Sequence, residues 1–119
     1  MSGPLMILVA GPYRSGTDGD PARIAANVEA MTRTSLELWR RGHLPVMGEW
    51  FALPLIEQAV AEGDPADPDE AIFHPVAERL LERCDACLRI GGPSEGADRM
   101  VATAERLGKA VYHALDDIP

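Results

Sequence analysis

Apolar residues fill positions 5–10 without a break (Leu-Met-Ile-Leu-Val-Ala) and stop at Gly11-Pro12. A short run that is apolar on both alternating sides suits a central strand of a parallel sheet, covered on both faces. The period then changes. Beyond a loop holding Gly16 and Gly19, Asp20-Pro21 opens a helix, and Ile24, Val28, Met31, Ser35 and Leu38 recur at helical spacing. Arg40, Arg41 and Gly42 supply its cationic last turn and its stop. A second short strand is expected over 43–47, at a sheet edge, because Pro45 has no N–H to give a ladder. Helices are expected over 52–62 and 70–83, with a loop rich in Asp and Pro over 63–69 between them. Residues 86–90 form a third strand, Ser94 caps a helix running to about 107, Gly108 ends it, and 110–113 make a last strand.

Strands alternating with helices imply right-handed crossovers and a parallel sheet. The expected fold class is α/β: a small flavodoxin-like or Rossmann-like sheet of four strands in the order 2-1-3-4, with helices on both faces, as one domain over 1–119. Such an order puts a topological switch point between the first and third strands, and ligands of these sheets sit there, beyond the strand C-termini. The loops leaving those two strands, residues 11–16 (Gly-Pro-Tyr-Arg-Ser-Gly) and 91–96 (Gly-Gly-Pro-Ser-Glu-Gly), are the least ordinary stretches of the chain.

Composition narrows the ligand. The 119 residues are 46% hydrophobic and carry a net charge of -8. An acidic chain of this kind disfavours nucleic-acid polymers and anionic membranes, whose phosphates are bound by basic patches. No apolar run approaches the roughly 20 residues of a membrane span. The first residues lead into a strand without a basic segment, so a cytoplasmic chain without a leader is expected. Cys84 and Cys87 are the only cysteines and lie where a helix runs into a strand, which suits two core thiols better than a redox pair. Asp64, Asp67, Asp69 and Glu70 lack the glycine turn and distal glutamate of a calcium loop, and His43, His74 and His113 are scattered, so no metal and no cofactor is expected.

A small anion is a different matter, because local donors hold it. A helix N-terminus after residues 91–94 offers free N–H groups and a partial positive charge, and Ser94 either caps that helix or donates to an oxygen. Glu95 and Asp98, in or near its first turn, oppose this. Arg14 in the neighbouring loop brings a planar guanidinium matched to two phosphate oxygens.

The order of four short motifs resembles the nucleoside 2-deoxyribosyltransferase-like superfamily, which includes the 2'-deoxynucleoside 5'-phosphate N-hydrolases. They are Gly-x-x-Arg-x-Gly at 11–16, Cys-Asp-Ala-Cys-Leu at 84–88, Pro-Ser-x-Gly at 93–96 and Ala-x-x-x-Gly-Lys at 104–109. The resemblance implies a nucleoside or nucleotide ligand, N-glycosidic hydrolase or transferase chemistry, and a homo-oligomer. It implies phosphate contacts from Arg14, Ser15, Gly16, Ser94 and Gly96, and Gly11 and Gly92 of the same two loops are further ligand-binding candidates. The chain departs from the family at both catalytic carboxylates: the glutamate position holds Met100 and the aspartate position holds Ala77. A thioether cannot replace a carboxylate nucleophile.

Other groups are candidates for the chemistry. Glu49 leaves the second strand toward the crevice, with Trp50 and Phe51 beside it as aromatics for stacking on a base. Asp98 is a second carboxylate, although it lies roughly 200° around the helix from Met100. Tyr13 is a hydroxyl for orienting a sugar or a carboxylate. Two readings follow: an enzyme of N-glycosidic bonds working through Glu49, Asp98 and Tyr13, or a non-catalytic nucleotide- or phosphate-binding module or homo-oligomeric accessory protein of the same fold.

Overall fold

The computed structural model describes residues 3–119; Met1 and Ser2, where the leaderless start was read, lie outside the described residues. Four strands, β1 (Met6–Ala10), β2 (Leu44–Val46), β3 (Ala86–Arg89) and β4 (Ala110–Tyr112), form one sheet in the order β2-β1-β3-β4. Every pairing is parallel, with Leu8 opposite Val46 on one side and Cys87 on the other. The α/β class and the order 2-1-3-4 are therefore as the alternation of periods implied, and β2, with Pro45, is an edge.

The unbroken apolar run of β1 serves two cores at once. Ile7 and Val9 face α1 (Pro21–Arg40) and pack with Met31, Leu38 and Met47. Leu8 and Ala10 face α3 (His74–Arg83) and α4 (Glu95–Arg106), packing with Ala77, Leu81, Ala97, Met100 and Ala104. The capping residues act as expected, with Asp20 accepting from the Ala22 amide and Ser94 from that of Ala97.

Two helix boundaries differ from expectation, each for a local reason. α2 runs Gly48–Ala61, starting four residues before the expected 52. Gly48 makes this start possible, since a Cβ there would lie 3.2 Å from that of Ala77 on α3. The expected helix over 70–83 is split into a π turn (Asp69–Phe73) and α3. Pro75 has no N–H to donate, so the preceding turn closes with the longer bond from His74 N–H to Asp69 O.

A C-terminal 3-10 turn (Leu115–Asp117) was not foreseen. Arg41 holds it through the Leu115 carbonyl at 3.0 Å and the Asp116 carboxylate at 3.2 Å. His43 accepts the Leu5 N–H at Nδ1 (3.0 Å) and meets the Pro119 carbonyl through Nε2 (2.9 Å), tying the start of β1 to the last turn.

Cys84 and Cys87 are free and buried. Burial pushes their thiols up to about 11 and about 12 respectively, so both stay protonated at neutral pH. Neither should react with a thiol reagent such as iodoacetamide in the native protein, and both should react in denaturant; mass spectrometry of the labelled chain reads this directly. Asp64 and Asp67 accept from the amides of Ala66 and Asp69, forming turns. Among the described residues, no His, Cys, Asp and Glu cluster could hold a metal ion and no helix is long and apolar enough to cross a membrane.

Candidate functional site

A cavity of about 250 Å³ opens at the C-terminal ends of β1 and β3, on the face that carries α3 and α4. Its floor is apolar (Leu8, Ala10, Ala77, Ala97, Met100), and its polar groups come from four separate segments. The 11–15 loop gives Tyr13, Arg14 and Ser15, the start of α2 gives Glu49, the π turn and α3 give Asp69 and His74, and the start of α4 gives Ser94, Glu95 and Gly96. Arg14 and Ser94, predicted on different loops, thus line one cavity.

Close backbone approach makes this possible. Gly91 has φ +80, and a Cβ there would sit 2.6 Å from Pro12 Cδ, inside contact distance. Gly11 is confined to a lesser degree, with Ile90 Cγ1 3.0 Å from where its Cβ would be. The Ile90 amide donates to the Ala10 carbonyl at 2.9 Å, extending the β1–β3 pairing to the mouth. Each loop also has an anchor that sequence reasoning missed. Arg89 donates to the carbonyls of Ile90 and Gly92 and to Asp98 Oδ1 (3.1 Å), clamping the second loop to the first turn of α4. In the first loop the buried Thr17 hydroxyl donates to the Arg14 carbonyl, and Asn27 on α1 donates to that of Tyr13 at 2.9 Å.

These anchors leave several donors at one end of the cavity without acceptors. Ser94 Oγ accepts from Ala97 N, and the Asp98 amide reaches the Ser94 carbonyl. The amides of Glu95 and Gly96, the Ser94 hydroxyl hydrogen and the Arg14 guanidinium then have no hydrogen-bond acceptor among the described residues. Free first-turn amides with a guanidinium opposite suit one phosphate or carboxylate group. They do not suit a polyphosphate, because Glu49, Asp69 and Glu95 line the same cavity against the single Arg14.

Glu49 is the unusual group. It is only 6% exposed, and this burial raises its carboxyl above the ordinary carboxylate range, partly offset by a hydrogen bond to its own backbone amide. It therefore holds a proton at a pH where a solvated glutamate has lost it, in a cavity whose wall also includes the apolar Met100 and Ala77.

The remaining candidates divide. Gly11, Tyr13, Arg14, Ser15, Ser94 and Gly96 line the cavity. Gly16 and Gly92 do not; Gly92 contributes its carbonyl to the Arg89 clamp. Asp98 points away from the cavity to the Arg89 guanidinium, as its angle from Met100 implied. Trp50 and Phe51 are exposed and absent from the cavity wall: because α2 already begins at Gly48, they lie on its outer surface. An aromatic pair does border the cavity, formed by Tyr13 and Phe73 with centroids 6.0 Å apart and rings 9° from parallel. Arg14 lies 5.7 Å from the centroid of the Tyr13 ring. Phe73 and His74 were missed because they sit in what reads as an ordinary helix; the Phe-His-Pro run over 73–75, which breaks that helix, was the available signal. His74 Nδ1 is buried without a partner, and its Nε2 lies 3.9 Å from Glu70 Oε1.

Comparison with protein-family models and with curated proteins finds no match for this chain.

Proposed function

We propose that the cavity binds a nucleoside 5'-monophosphate or a closely related nucleoside, and that Glu49 assists cleavage of its N-glycosidic bond. The observation that carries this reading is the burial of the Glu49 carboxyl in the same cavity that Arg14 and the free first-turn amides of α4 line. The phosphate sits between Arg14 and Ser94–Gly96, which sets the sugar over the apolar floor and the glycosidic bond toward Glu49. The protonated Glu49 gives its proton to the departing base nitrogen while the C–N bonding pair goes to the base. Water adds to the sugar carbon and returns a proton to Glu49, so the products are free base and sugar phosphate. Asp69 and Glu95, which count against extra phosphates, favour the positive charge that develops on the sugar. The resemblance to N-glycosidases supports the same ligand class.

A second reading, a nucleotide-binding module without turnover, is favoured by Met100 and Ala77 on the cavity wall. One experiment separates them. With a panel of deoxynucleoside and ribonucleoside 5'-monophosphates, the enzyme reading expects chromatographic release of free base; the binding reading expects thermal stabilisation alone. Saturating ligand at about 100 times Kd stabilises a fold by roughly 2.7 kcal/mol. Arg14→Ala is expected to remove that stabilisation in either case, with the unliganded melting temperature unchanged, since the side chain is exposed. A shift that survives Arg14→Ala rules out the phosphate position, and a panel giving neither base nor stabilisation rules out both readings.

A further inference from the structure

His74 lines the cavity, yet the cleavage proposed above gives it no task. Its side chain is 16% exposed, and its Nδ1 is buried with no hydrogen-bond partner among the described residues. A buried polar atom left unpaired is a net loss to stability and is uncommon in folded chains, so it asks for a reason. Local packing supplies none. The ring stands edge-on to Phe73, with centroids 5.8 Å apart and planes at 83°. Its Nε2 lies 3.9 Å from Glu70 Oε1, beyond hydrogen-bond length, and Glu70 is itself drawn to Arg99 at 3.3 Å. The carboxylate still favours the imidazole hydrogen on Nε2, which leaves a lone pair at Nδ1 in the neutral ring. On its other side the ring faces the first turn of α4, where Cε1 lies 3.8 Å from the place a Gly96 Cβ would take. Gly96 carries no Cβ, so the ring has room to turn about its Cβ–Cγ bond and bring Nδ1 to the cavity surface. The π turn that leads into His74 is the kind of irregularity often found where a helix serves a ligand.

We propose that His74 Nδ1 is the acceptor for a sugar hydroxyl of the bound nucleotide, and so selects ligands that carry one. This rests on the nucleotide reading above. Position chooses the hydroxyl over a donor on the base. The ring lies against Gly96, whose amide is one of the free donors at the phosphate end, so the ligand group nearest His74 is the one joined to the phosphate. That group is the sugar. Below the ring the wall is apolar, with Ala77 one turn along α3 and Ala97 next to Gly96. A hydroxyl buried there would lose its water partners, and Nδ1 returns one of them. The ligand in turn relieves the unpaired nitrogen. A nucleotide without the hydroxyl leaves Nδ1 as it stands in the empty cavity, so the two ligands differ by the whole contact.

Calorimetry with paired probes tests this: for each base, the ribonucleoside 5'-monophosphate against its 2',3'-dideoxy analogue. The native chain is expected to bind the hydroxyl-bearing member about 10-fold more tightly, the worth of one neutral hydrogen bond. His74→Leu should abolish that preference by weakening the ribonucleotide alone, with the dideoxy Kd unchanged. His74→Asn, which keeps an amide oxygen near the Nδ1 position, should restore most of it. The unliganded His74→Leu protein is expected to melt roughly 2–5 °C above the native chain, because an unpaired buried nitrogen has been removed. A histidine whose work is only structural would instead lower the melting temperature. The proposal is overturned by a native chain without the preference, by a preference that survives His74→Leu, by an Asn variant no better than the Leu variant, or by a lower melting temperature for His74→Leu. If such a result comes with nucleotide stabilisation that Arg14→Ala removes, the ligand reading stands and the hydroxyl contact alone falls. If no nucleotide binds, both fall.

Discussion

Glu49→Gln is expected to lower base release by about 10²- to 10⁴-fold, the usual worth of a positioned proton donor, while leaving ligand-induced stabilisation in place. The same substitution should make the unliganded protein more stable at neutral pH. Burial raises the carboxyl of Glu49, so between its ordinary and its raised value the folded chain holds a proton that the unfolded chain has lost. Stability then falls as pH rises through that window and is level above it. Glutamine carries no such penalty. Its advantage should vanish in acid, where both states of the native chain are protonated, and reach its full size once Glu49 is ionised. A gain of about 1 kcal/mol, near 5 °C in Tm for a chain of this size, is the usual scale for relieving one functional-site strain. Melting curves of both proteins across pH measure it. An unchanged turnover would remove Glu49 from the chemistry, and a loss of stability in the variant would show that the carboxylate is held by interactions stronger than its desolvation.

Gly91→Ala should be the most damaging single methyl in the molecule. The left-handed backbone at φ +80 costs a residue with a Cβ about 1–2 kcal/mol, and contact with the Pro12 ring adds roughly 1–3 kcal/mol. A loss of about 3 kcal/mol is expected, together with weaker ligand binding, because the two loops can no longer close on one another. Gly92→Ala next to it, with nothing within 4 Å of its added Cβ, should cost less than about 0.5 kcal/mol. Urea titrations of the pair, with ligand binding by calorimetry, separate a general glycine effect from the loop contact. Equal stability losses in the two variants would refute the close-approach account.

Much of the frame was legible because it rests on local rules. The apolar run at 5–10, the Asp20-Pro21 helix start, the proline in the edge strand and the Ser94 cap each state their own structure, and together they imply the strand order and the crevice. Glu49 was legible for a positional reason, since it lies just beyond the C-terminal end of β2. What could not be read depends on neighbours distant in sequence. The early start of α2 depends on Gly48 meeting Ala77, and that start decides that Trp50 and Phe51 face outward. Arg89 is one strand residue among several until the loop carbonyls and Asp98 are seen around it. Phe73 and His74 enter the cavity wall only because Pro75 disturbs the helix in which they sit.

The pairing of the sheet has a consequence for how the chain acquires its shape. β1 is central, and its two partners are β2 and β3, with Ile7 opposite both Pro45 and Ala86. The apolar stretch of β1 therefore leaves the ribosome before both of its partners, and one of its sides stays unpaired until α1, β2, α2 and α3 have all been made. Contacts this far apart carry a large loop-closure cost, so folding should be slower than for a helical bundle of equal length, and the nascent chain exposes residues 5–10 throughout that interval.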